Sequence, residues 1–376
     1  MRTPIAWFNS IQQPKRTATA VGGITFALLL IFMQAGFLGA ARANVSIIYA
    51  VLDFDLVIHS RTYLTLPRSE PFDRLRLVQA SSVPGVARVT RVLVDGFEWR
   101  NPRTNDTANG FLIGVPADSQ AFVDPEINRQ LTTVRPTMAA LVDRKARPSY
   151  GPWSVGESCV LNGQPGQITG SYELGLGLLA DGSAIVSDET YVRVQGPWNA
   201  RSANLGLIKL APGANRDDVT RDLRAKLPAD VVIVTKDEVM AREQHYFLSV
   251  KPVGIMFQVG MIVAFAAGAA ILYQILASEM SKRIGEFATL KALGYPNQSI
   301  YGIGIQQGLI YALLAYLPSL GLAWLLYRVG RELSGFPLHM DARRAGFVLA
   351  LALLMCAIAA VLSLWKIRKA DPASLF

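Results

Sequence analysis

Residues 252–278 read PVGIMFQVGMIVAFAAGAAILYQILAS, a stretch without a single charged side chain. A helix needs about 20 consecutive apolar residues to cross the hydrocarbon core of a bilayer, so this stretch predicts a membrane span. Three more uncharged stretches of sufficient length lie at 17–41, 299–327 and 345–365. The first of them is too long for the apolar core of a signal peptide, and it therefore predicts a retained anchor. The sequence thus predicts a membrane protein with four transmembrane helices.

The predicted spans divide the chain into one long segment and several short ones. The long segment, 42–251, is large enough to form its own hydrophobic core. In chain order we predict an N-terminal amphipathic segment (1–16), a first span (17–41), a large domain (42–251), a second span (252–278), a connecting segment (279–298), a third span (299–327), a short loop (328–344), a fourth span (345–365) and a tail (366–376). Pro318 is expected to kink the third span.

Two similar blocks near the ends of the large domain predict strand, helix, strand units. The first has its strands at 55–59 and 86–94 and its helix at 72–80, and the second has strands at 205–210 and 231–234 and a helix at 215–226. Together they predict one lobe from about 50–100 and 200–235. Alternating Gly-rich stretches at 110–115, 158–161, 167–174 and 184–187 predict a β-rich insertion from about 105–200, interrupted by a helix from Asp124 to Asp143. The predicted domain between helices 1 and 2 is therefore α+β.

The end of the large domain carries a helix start signal. Thr235, followed by Glu238 three residues later, fits a capping box. The helix that follows would run toward Lys251 and the second span, which predicts a stiff connection with a kink at Pro252. The acidic pairs 217–218 and 237–238 lie where a helix N-terminus attracts negative charge, so we interpret them as structural.

Motifs for catalysis and nucleotide binding are missing from this sequence. It contains no GxxxxGK[ST], HExxH, GxSxG or CxxC pattern. The three histidines, His59, His245 and His339, lack metal-ligand spacing. Cys159 and Cys356 are separated by the predicted topology, so we expect no disulfide and interpret Cys159 as a core residue. We predict no catalytic residue, metal ligand or cofactor site in this chain.

The distribution of charge predicts the orientation in the membrane and argues against nucleic-acid binding. The large domain holds 24 Lys and Arg residues against 23 Asp and Glu residues, so most of the net charge of +9 lies in the short membrane flanks. Positive charge in short flanks marks the cytoplasmic side and favours contact with lipid headgroups. The basic flanks contain Arg2, Lys15, Arg16, Lys282, Arg283, Lys291, Lys366, Arg368 and Lys369. We therefore expect both termini in the cytoplasm of a bacterial inner-membrane protein and the large domain on the other side, although four arginines in 328–344 weaken the asymmetry.

The polar side chains inside the predicted spans are uncharged. They include Gln34, Gln258, Gln274, Gln306 and Gln307. Glutamines in spans commonly bond across helix interfaces, whereas ionisable residues mark ion and substrate routes. This pattern argues against a proton-driven carrier.

The connecting segment resembles an amphipathic helix outside the bilayer. The stretch 277–299 reads ASEMSKRIGEFATLKALGYPNQS. Its apolar positions at helical spacing are Met280, Ile284, Phe287 and Leu290 or Lys291, with Lys282, Arg283 and Glu286 elsewhere around the turn and Gly294 as a stop. By its physics alone, it fits an interfacial helix and a helix that enters a partner's groove equally well. The N-terminal residues Ile5, Trp7, Phe8 and Ile11 favour a position in the headgroup region over partner binding.

The stretch SKRIGEFATLKALGYP resembles the segment after the second span in FtsX-like and MacB-like permeases of ABC transporters. The DevC branch is the most similar, since its members have stretches similar to PIAWFNSIQQPKRTATAVGGITFALLLIFMQAGF, LDFDLVIHS, IVSDETYVR and RKADPASLF here. These motifs extend from Pro4 to Phe376, so the resemblance covers essentially the whole chain.

The resemblance implies a homodimer of four-span chains whose periplasmic domain pairs a two-lobed porter part with a β-rich part. A separate ABC ATPase subunit would bind the ATP and would contact the connecting segment. The resemblance implies that this contact is made by Met280, Lys282, Arg283, Glu286, Phe287, Leu290, Lys291 and Gly294. No fused ATPase domain is recognised in the sequence, and this departs from the MacB pattern.

For the DevC branch, the resemblance also implies a periplasmic adaptor of the membrane-fusion type and an outer-membrane channel of the TolC type. Best-known members of that branch export glycolipids, and this favours an export permease for a lipid-like or other envelope substrate. Two alternatives stay open at this point. One is an FtsX-type scaffold that activates a periplasmic cell-wall hydrolase, and the other is a lipoprotein-releasing permease.

Overall fold

The computed structural model describes residues 14–177, 179–282, 285, 297–334 and 337–368. The chain divides into two compact units. The helical unit comprises the described residues of Met1–Ala40, Val253–Glu332 and Leu338–Phe376. The α/β unit comprises those of Ala41–Pro252 and Leu333–Pro337.

The helices are, in chain order, α1 (Pro14–Val45), α2 (Ile47–Val51), α3 (Leu75–Ser81), α4 (Pro125–Gln130), α5 (Asp188–Gln195), α6 (Arg216–Lys226), α7 (Lys236–His245), α8 (Pro252–Lys282), α9 (Asn297–Ser334) and α10 (Ala342–Arg368). The strands are β1 (Leu56–Ser60), β2 (Phe72–Asp73), β3 (Val86–Arg100), β4 (Thr107–Val115), β5 (Ala139–Asp143), β6 (Ser158–Leu161), β7 (Gln164–Tyr172), β8 (Gly182–Ser187), β9 (Ser202–Ala203), β10 (Leu205–Leu210) and β11 (Val231–Thr235). Short 3₁₀ turns lie at Leu66–Arg68, Leu131–Val134, Pro148–Tyr150 and Pro197–Arg201.

Four helices are long and apolar enough to cross a membrane. Their candidate spans are Thr17–Val45, Pro252–Lys282, Ile305–Glu332 and Ala342–Ser363. The predicted fold class, four transmembrane helices with a large α+β domain between the first and second, is confirmed. The helices α8 and α9 extend beyond the uncharged stretches, because charged side chains limit burial in hydrocarbon without interrupting helical hydrogen bonds. Pro318 lies inside α9.

The helical unit has its own apolar core, to which all four long helices contribute. Representative buried residues are Leu28 on α1, Leu272 on α8, Ala315 on α9 and Met355 on α10. Gly308 on α9 permits a close approach, since a Cβ at this position would lie 2.7 Å from the Sγ atom of Cys356 on α10.

The α/β unit is built on one nine-stranded sheet with the strand order β11-β1-β10-β3-β4-β8-β5-β7-β6, and a second sheet pairs β2 with β9. The long strand β3 organises the main sheet. Its first half, Val86–Val92, pairs with β10, and its second half, Leu93–Arg100, pairs with β4. The predicted lobe and the predicted β-rich insertion are thus parts of one continuous sheet.

Both strand, helix, strand units are confirmed. The first is formed by β1, α3 and β3, and the second by β10, α6 and β11. Their helices pack on the same core as these strands, which buries Leu77 of α3 and Leu223 of α6 beside Ile58, Ile208 and Ile233. The buried apolar positions are three or four residues apart in the helices, and the strands are short runs rich in apolar residues, so local patterns sufficed here.

The predicted helix from Asp124 to Asp143 is wrong. Only α4 and a 3₁₀ turn, Leu131–Val134, are helical, and β5 occupies the end of the predicted range. Arg135 keeps helical backbone angles, with φ −57° and ψ −42°, and the helical part ends at Pro136, which has no N–H to continue a helical hydrogen-bond pattern. All five residues of β5 are buried between β7 and β8, and a short buried apolar run cannot be assigned to helix or strand from its periodicity.

The capping box at Thr235 is confirmed. The Thr235 side chain accepts a hydrogen bond from the Glu238 N–H, and the Glu238 side chain accepts one from the Thr235 N–H. The predicted run of helix toward Lys251 and the predicted kink at Pro252 are both confirmed, while the stiffness of the connection stays a prediction. A π-helical turn follows at Tyr246–Val250, and Lys251 is extended, with φ −77° and ψ 140°. Pro252 at the start of α8 explains this break, since it favours extended backbone at the preceding residue.

Candidate functional site

The predicted coupling residues lie at and after the end of α8. Met280 and Lys282 belong to the last turn of this helix. Met280 is 1% exposed and Lys282 is exposed, and for both the contact with a partner stays a prediction. The other predicted contact residues lie outside the described part of the chain, and they are Arg283, Glu286, Phe287, Leu290, Lys291 and Gly294. For these six residues the contact stays a prediction.

The last turn of α8 also buries Glu279, which sequence reasoning missed. The uncharged stretch ends at Ser278, so the sequence alone places Glu279 in the connecting segment. In the structure Glu279 is 9% exposed and bonds to two side chains of α9. The Tyr311 hydroxyl donates to Glu279 Oε1 at 2.7 Å, and the Gln307 amide donates to Glu279 Oε2.

The two side chains that donate to Glu279 also bond to each other. The Gln307 Nε2 atom also donates to the Tyr311 hydroxyl oxygen at 3.2 Å, and both side chains are buried. The Thr17 hydroxyl of α1 is a further hydrogen-bond partner of Tyr311. A buried carboxyl is costly unless hydrogen bonds satisfy it, and these neutral donors do so. The available sequence signal was a Glu at a span margin together with a Gln and a Tyr four residues apart in another span.

Close packing surrounds this network. Leu276, one turn before Glu279, is fully buried. Its side chain lies 3.4 Å from the position that a Cβ on Gly308 would take. Gly308 follows Gln307 directly, so the absence of a side chain there allows α9 to approach its neighbours at the level of the hydrogen bonds.

A second buried carboxyl network lies within the α/β unit. Glu243 of α7 is 1% exposed and accepts hydrogen bonds from the Tyr63 hydroxyl, from the Tyr49 hydroxyl at 3.3 Å and from the Leu66 N–H at 2.8 Å. The next residue, Gln244, donates from Nε2 to the Ser46 hydroxyl at 3.1 Å. Tyr49 lies on α2, and Ser46 is the residue immediately before this helix. The network therefore joins the chain that follows α1 to the chain that precedes α8.

Burial controls the protonation of this second network. It raises the pKa of Glu243 to about 7, although the hydrogen bonds from Tyr63, Leu66 and Tyr49 oppose the shift. Burial also lowers the pKa of His59, whose ring centroid lies 4.6 Å from that of Tyr63. The Arg242 guanidinium lies 5.9 Å from the Tyr63 ring centroid. Because the carboxylate is enclosed by its own unit, we interpret this network as structural.

The described residues contain no group of three or more His, Cys, Asp or Glu side chains that could hold a metal ion. Cys159 and Cys356 are both buried and unpaired. Burial raises the pKa of the Cys159 thiol to about 12, so this thiol is a poor nucleophile at neutral pH. Cys159 belongs to a hydrophobic cluster of the α/β unit, as predicted.

Comparison with known proteins gives two matches to family models. Residues 17–226 match the MacB-like periplasmic core domain, and residues 258–372 match the FtsX-like permease C-terminal region. No curated protein matches the chain.

Among solved structures, the periplasmic region of MacB from Actinobacillus actinomycetemcomitans is similar at 11% identity and a TM-score of 0.38, covering 52% of this chain and 94% of that chain. The extracellular domain of the ABC-type transporter YknZ from Gram-positive bacteria is similar at 11% identity and a TM-score of 0.35, covering 49% of this chain and 100% of that chain. The family models carry the assignment, because the MacB-like core alone spans more than half of the sequence. This multi-pass membrane protein therefore belongs to the MacB-like and FtsX-like family of ABC-type permeases.

Proposed function

We propose that this chain is the permease subunit of an ATP-driven export system that works by mechanotransmission. The observation that carries the proposal is the combination of a MacB-like periplasmic core and an FtsX-like C-terminal region on one chain with four candidate spans. In this mechanism a separate ATPase subunit binds ATP, and its closure moves the connecting segment. The spans pass the movement to the domain outside the cytoplasm.

The composition of the spans supports movement of cargo outside the bilayer. No charged residue lies between Arg16 and Arg42, Lys251 and Glu279, or Arg344 and Lys366. Routes for ions and polar solutes through membranes usually contain ionisable side chains. The one buried carboxyl of α8 is enclosed by Gln307 and Tyr311 instead of lining a route. We therefore favour a lipid-like or other envelope substrate that is moved within the periplasm.

The proposed assembly is a homodimer with two ATPase subunits, a periplasmic adaptor of the membrane-fusion type and a TolC-like outer-membrane channel. The similarity to the DevC branch motivates the adaptor and the channel. The charge of the short flanks motivates the placement of both termini in the cytoplasm.

The first test is to purify the protein from native membranes in mild detergent, identify the chains that co-purify and assay ATP hydrolysis. We expect an ABC ATPase together with a periplasmic adaptor. An ATPase with a cell-wall hydrolase and no adaptor would instead support the scaffold function. Recovery of no ATPase would contradict the proposal.

A second test addresses the predicted contact itself. Phe287→Glu places a charge on the apolar side of the connecting segment and should abolish ATPase binding and export without preventing folding. Val155→Glu is the control, because Val155 is 58% exposed in the α/β unit and the same change there should leave binding intact. ATPase binding that is unchanged by Phe287→Glu would disprove this contact.

A further inference from the structure

We infer that Glu279 is a positioning residue that ties the end of α8 to α9 and so holds both ends of the segment 283–296 in a fixed relation. The inference rests on the proposed function where it concerns coupling to an ATPase. The tie itself rests on the geometry of the helical unit alone. Its members are Glu279, Gln307 and Tyr311.

The position of the tie along the chain is the first argument. Glu279 lies three residues before the end of α8 at Lys282, and Gln307 lies within the third turn of α9, which starts at Asn297. The helices that flank residues 283–296 are therefore joined by hydrogen bonds within the last turn of α8 and from the third turn of α9 onward. A helix end without such a tie could move away from its neighbour when the segment is pulled.

The chemistry of the tie is the second argument. Each carboxylate oxygen of Glu279 accepts from a different donor of α9, and the two donors also bond to each other. A carboxylate held by two separate donors is restrained in rotation as well as in position. Tyr311 is 1% exposed and Gln307 is 2% exposed, so water does not compete for these hydrogen bonds.

The third argument is that Glu279 has no described role in the apolar core. The hydrophobic cluster of the helical unit includes its neighbour Leu276, one turn earlier, and could continue with an apolar residue at position 279. An apolar side chain would leave the Tyr311 hydroxyl and the Gln307 amide without this acceptor. The buried polar network is therefore a specific connection between two helices, in addition to their apolar packing.

The distance between the hydrogen-bonded parts of α8 and α9 can be measured directly in the full-length protein. We would place spin labels at Lys282→Cys and Gln306→Cys, two exposed positions, after Cys159→Ala and Cys356→Ala remove the native thiols. Pulsed electron paramagnetic resonance in lipid nanodiscs gives the distance distribution between the labels. Labelled chains are diluted with unlabelled ones, so that the measured distances are those within one chain. We expect a narrow distribution in the parent protein and about a two-fold broader one with Glu279→Ala.

Two further variants separate positioning from general damage. Glu279→Gln keeps an acceptor for the Tyr311 hydroxyl and should restore a narrow distribution. Gln274→Ala removes an exposed polar side chain of the same helix outside the tie and should change nothing. Tyr311→Phe removes one hydroxyl only, so it should broaden the distribution even if Glu279→Ala fails to fold. A distribution that stays narrow in every folded variant lacking the Tyr311 to Glu279 hydrogen bond would overturn the inference.

ATP hydrolysis in the presence of the permease provides the coupling readout. If the ATPase binds, Glu279→Ala should lower the permease-stimulated rate at least five-fold while binding and basal hydrolysis persist, and Glu279→Gln should recover most of the stimulation. Full stimulation with Glu279→Ala would overturn the coupling role. A parent protein that recruits no ATPase would contradict the proposed function, and the label distances would then still decide whether the tie exists.

Discussion

Glu243 makes the stability of the α/β unit depend on pH. Its pKa in the folded protein is about 7, above the ordinary value of 4.5, so the folded state binds more protons than the unfolded state between these two values. The contribution is complete below pH 4.5 and is lost as the pH rises to 7, with an upper limit of about 3 kcal/mol. We expect Glu243→Gln to remove this loss, measured as the thermal midpoint by tryptophan fluorescence between pH 4.5 and 8.

His59 must be separated from Glu243 in this measurement. Burial lowers the pKa of His59 below its ordinary value of 6.5, so its contribution to stability grows as the pH rises toward 6.5, opposite to that of Glu243. The difference between the parent protein and Glu243→Gln isolates the glutamate. Glu189→Gln, at an exposed position of α5, should keep the parent's pH dependence. An unchanged slope in Glu243→Gln would show that burial does not shift this carboxyl.

Single residues also show why part of the candidate site could not be predicted. The burial of Glu279 depends on Gln307 and Tyr311, which follow it by 28 and 32 residues. A scan for uncharged stretches treats any carboxylate as the end of a span, and it cannot recognise one that is satisfied by distant donors. The capping box at Thr235 was predictable because both of its members lie within four residues.

At the scale of the element, the cap of α7 gives a measurable contribution. Thr235→Ala removes the acceptor for the Glu238 N–H and should lower the free energy of unfolding by about 1 kcal/mol. Thr235→Ser keeps a hydroxyl acceptor and serves as the control. Thermal unfolding followed by circular dichroism compares the variants, and equal losses in both would show that the hydroxyl does not act as a cap.

The packing of α9 against α10 gives another element-scale prediction. Gly308→Ala would place a Cβ 2.7 Å from the Cys356 Sγ atom, and such overpacking costs about 1–3 kcal/mol, more than the gain of about 1 kcal/mol in helix propensity. Gly321→Ala in the same helix meets no atom within 4 Å and should be neutral or stabilising. We expect the thermal midpoint in detergent to fall only for Gly308→Ala.

Removal of the clashing atom provides the internal check on this packing prediction. In the double variant Gly308→Ala, Cys356→Ala, the added methyl group occupies space that the deleted Sγ atom leaves. Most of the lost stability should therefore return. If the double variant is no more stable than Gly308→Ala alone, another contact must be responsible.

Elements with local patterns were therefore predictable, whereas elements defined by their neighbours were not. The helices of the strand, helix, strand units show helical periodicity, and their strands are short runs rich in apolar residues. Strand β5 is buried on both faces between β7 and β8, and such a run cannot be distinguished from a buried helix segment by its periodicity. The continuity of the sheet through β3 likewise depends on the pairing of this strand with β10 and β4, which no local pattern encodes.

At the scale of the whole molecule, the proposed orientation follows from charge counted over short flanks. Lys282 is the last residue of the second candidate span and belongs to the basic side, whereas the domain between the first two spans is nearly neutral. Long domains cross the membrane largely regardless of their charge, so the short flanks decide the orientation. The prediction is that Lys282 faces the cytoplasm and that the α/β unit faces the periplasm.

Labelling of single cysteines tests this orientation in spheroplasts. Trp198 is 74% exposed in the α/β unit, so Trp198→Cys should react with a membrane-impermeant maleimide in intact spheroplasts, whereas Lys282→Cys should react only after permeabilisation. The parent protein is the control, because the buried Cys159 and Cys356 should label slowly on either side. The reverse pattern would place the MacB-like domain in the cytoplasm. An adaptor outside the inner membrane could not then reach it, and the export mechanism proposed here would fail.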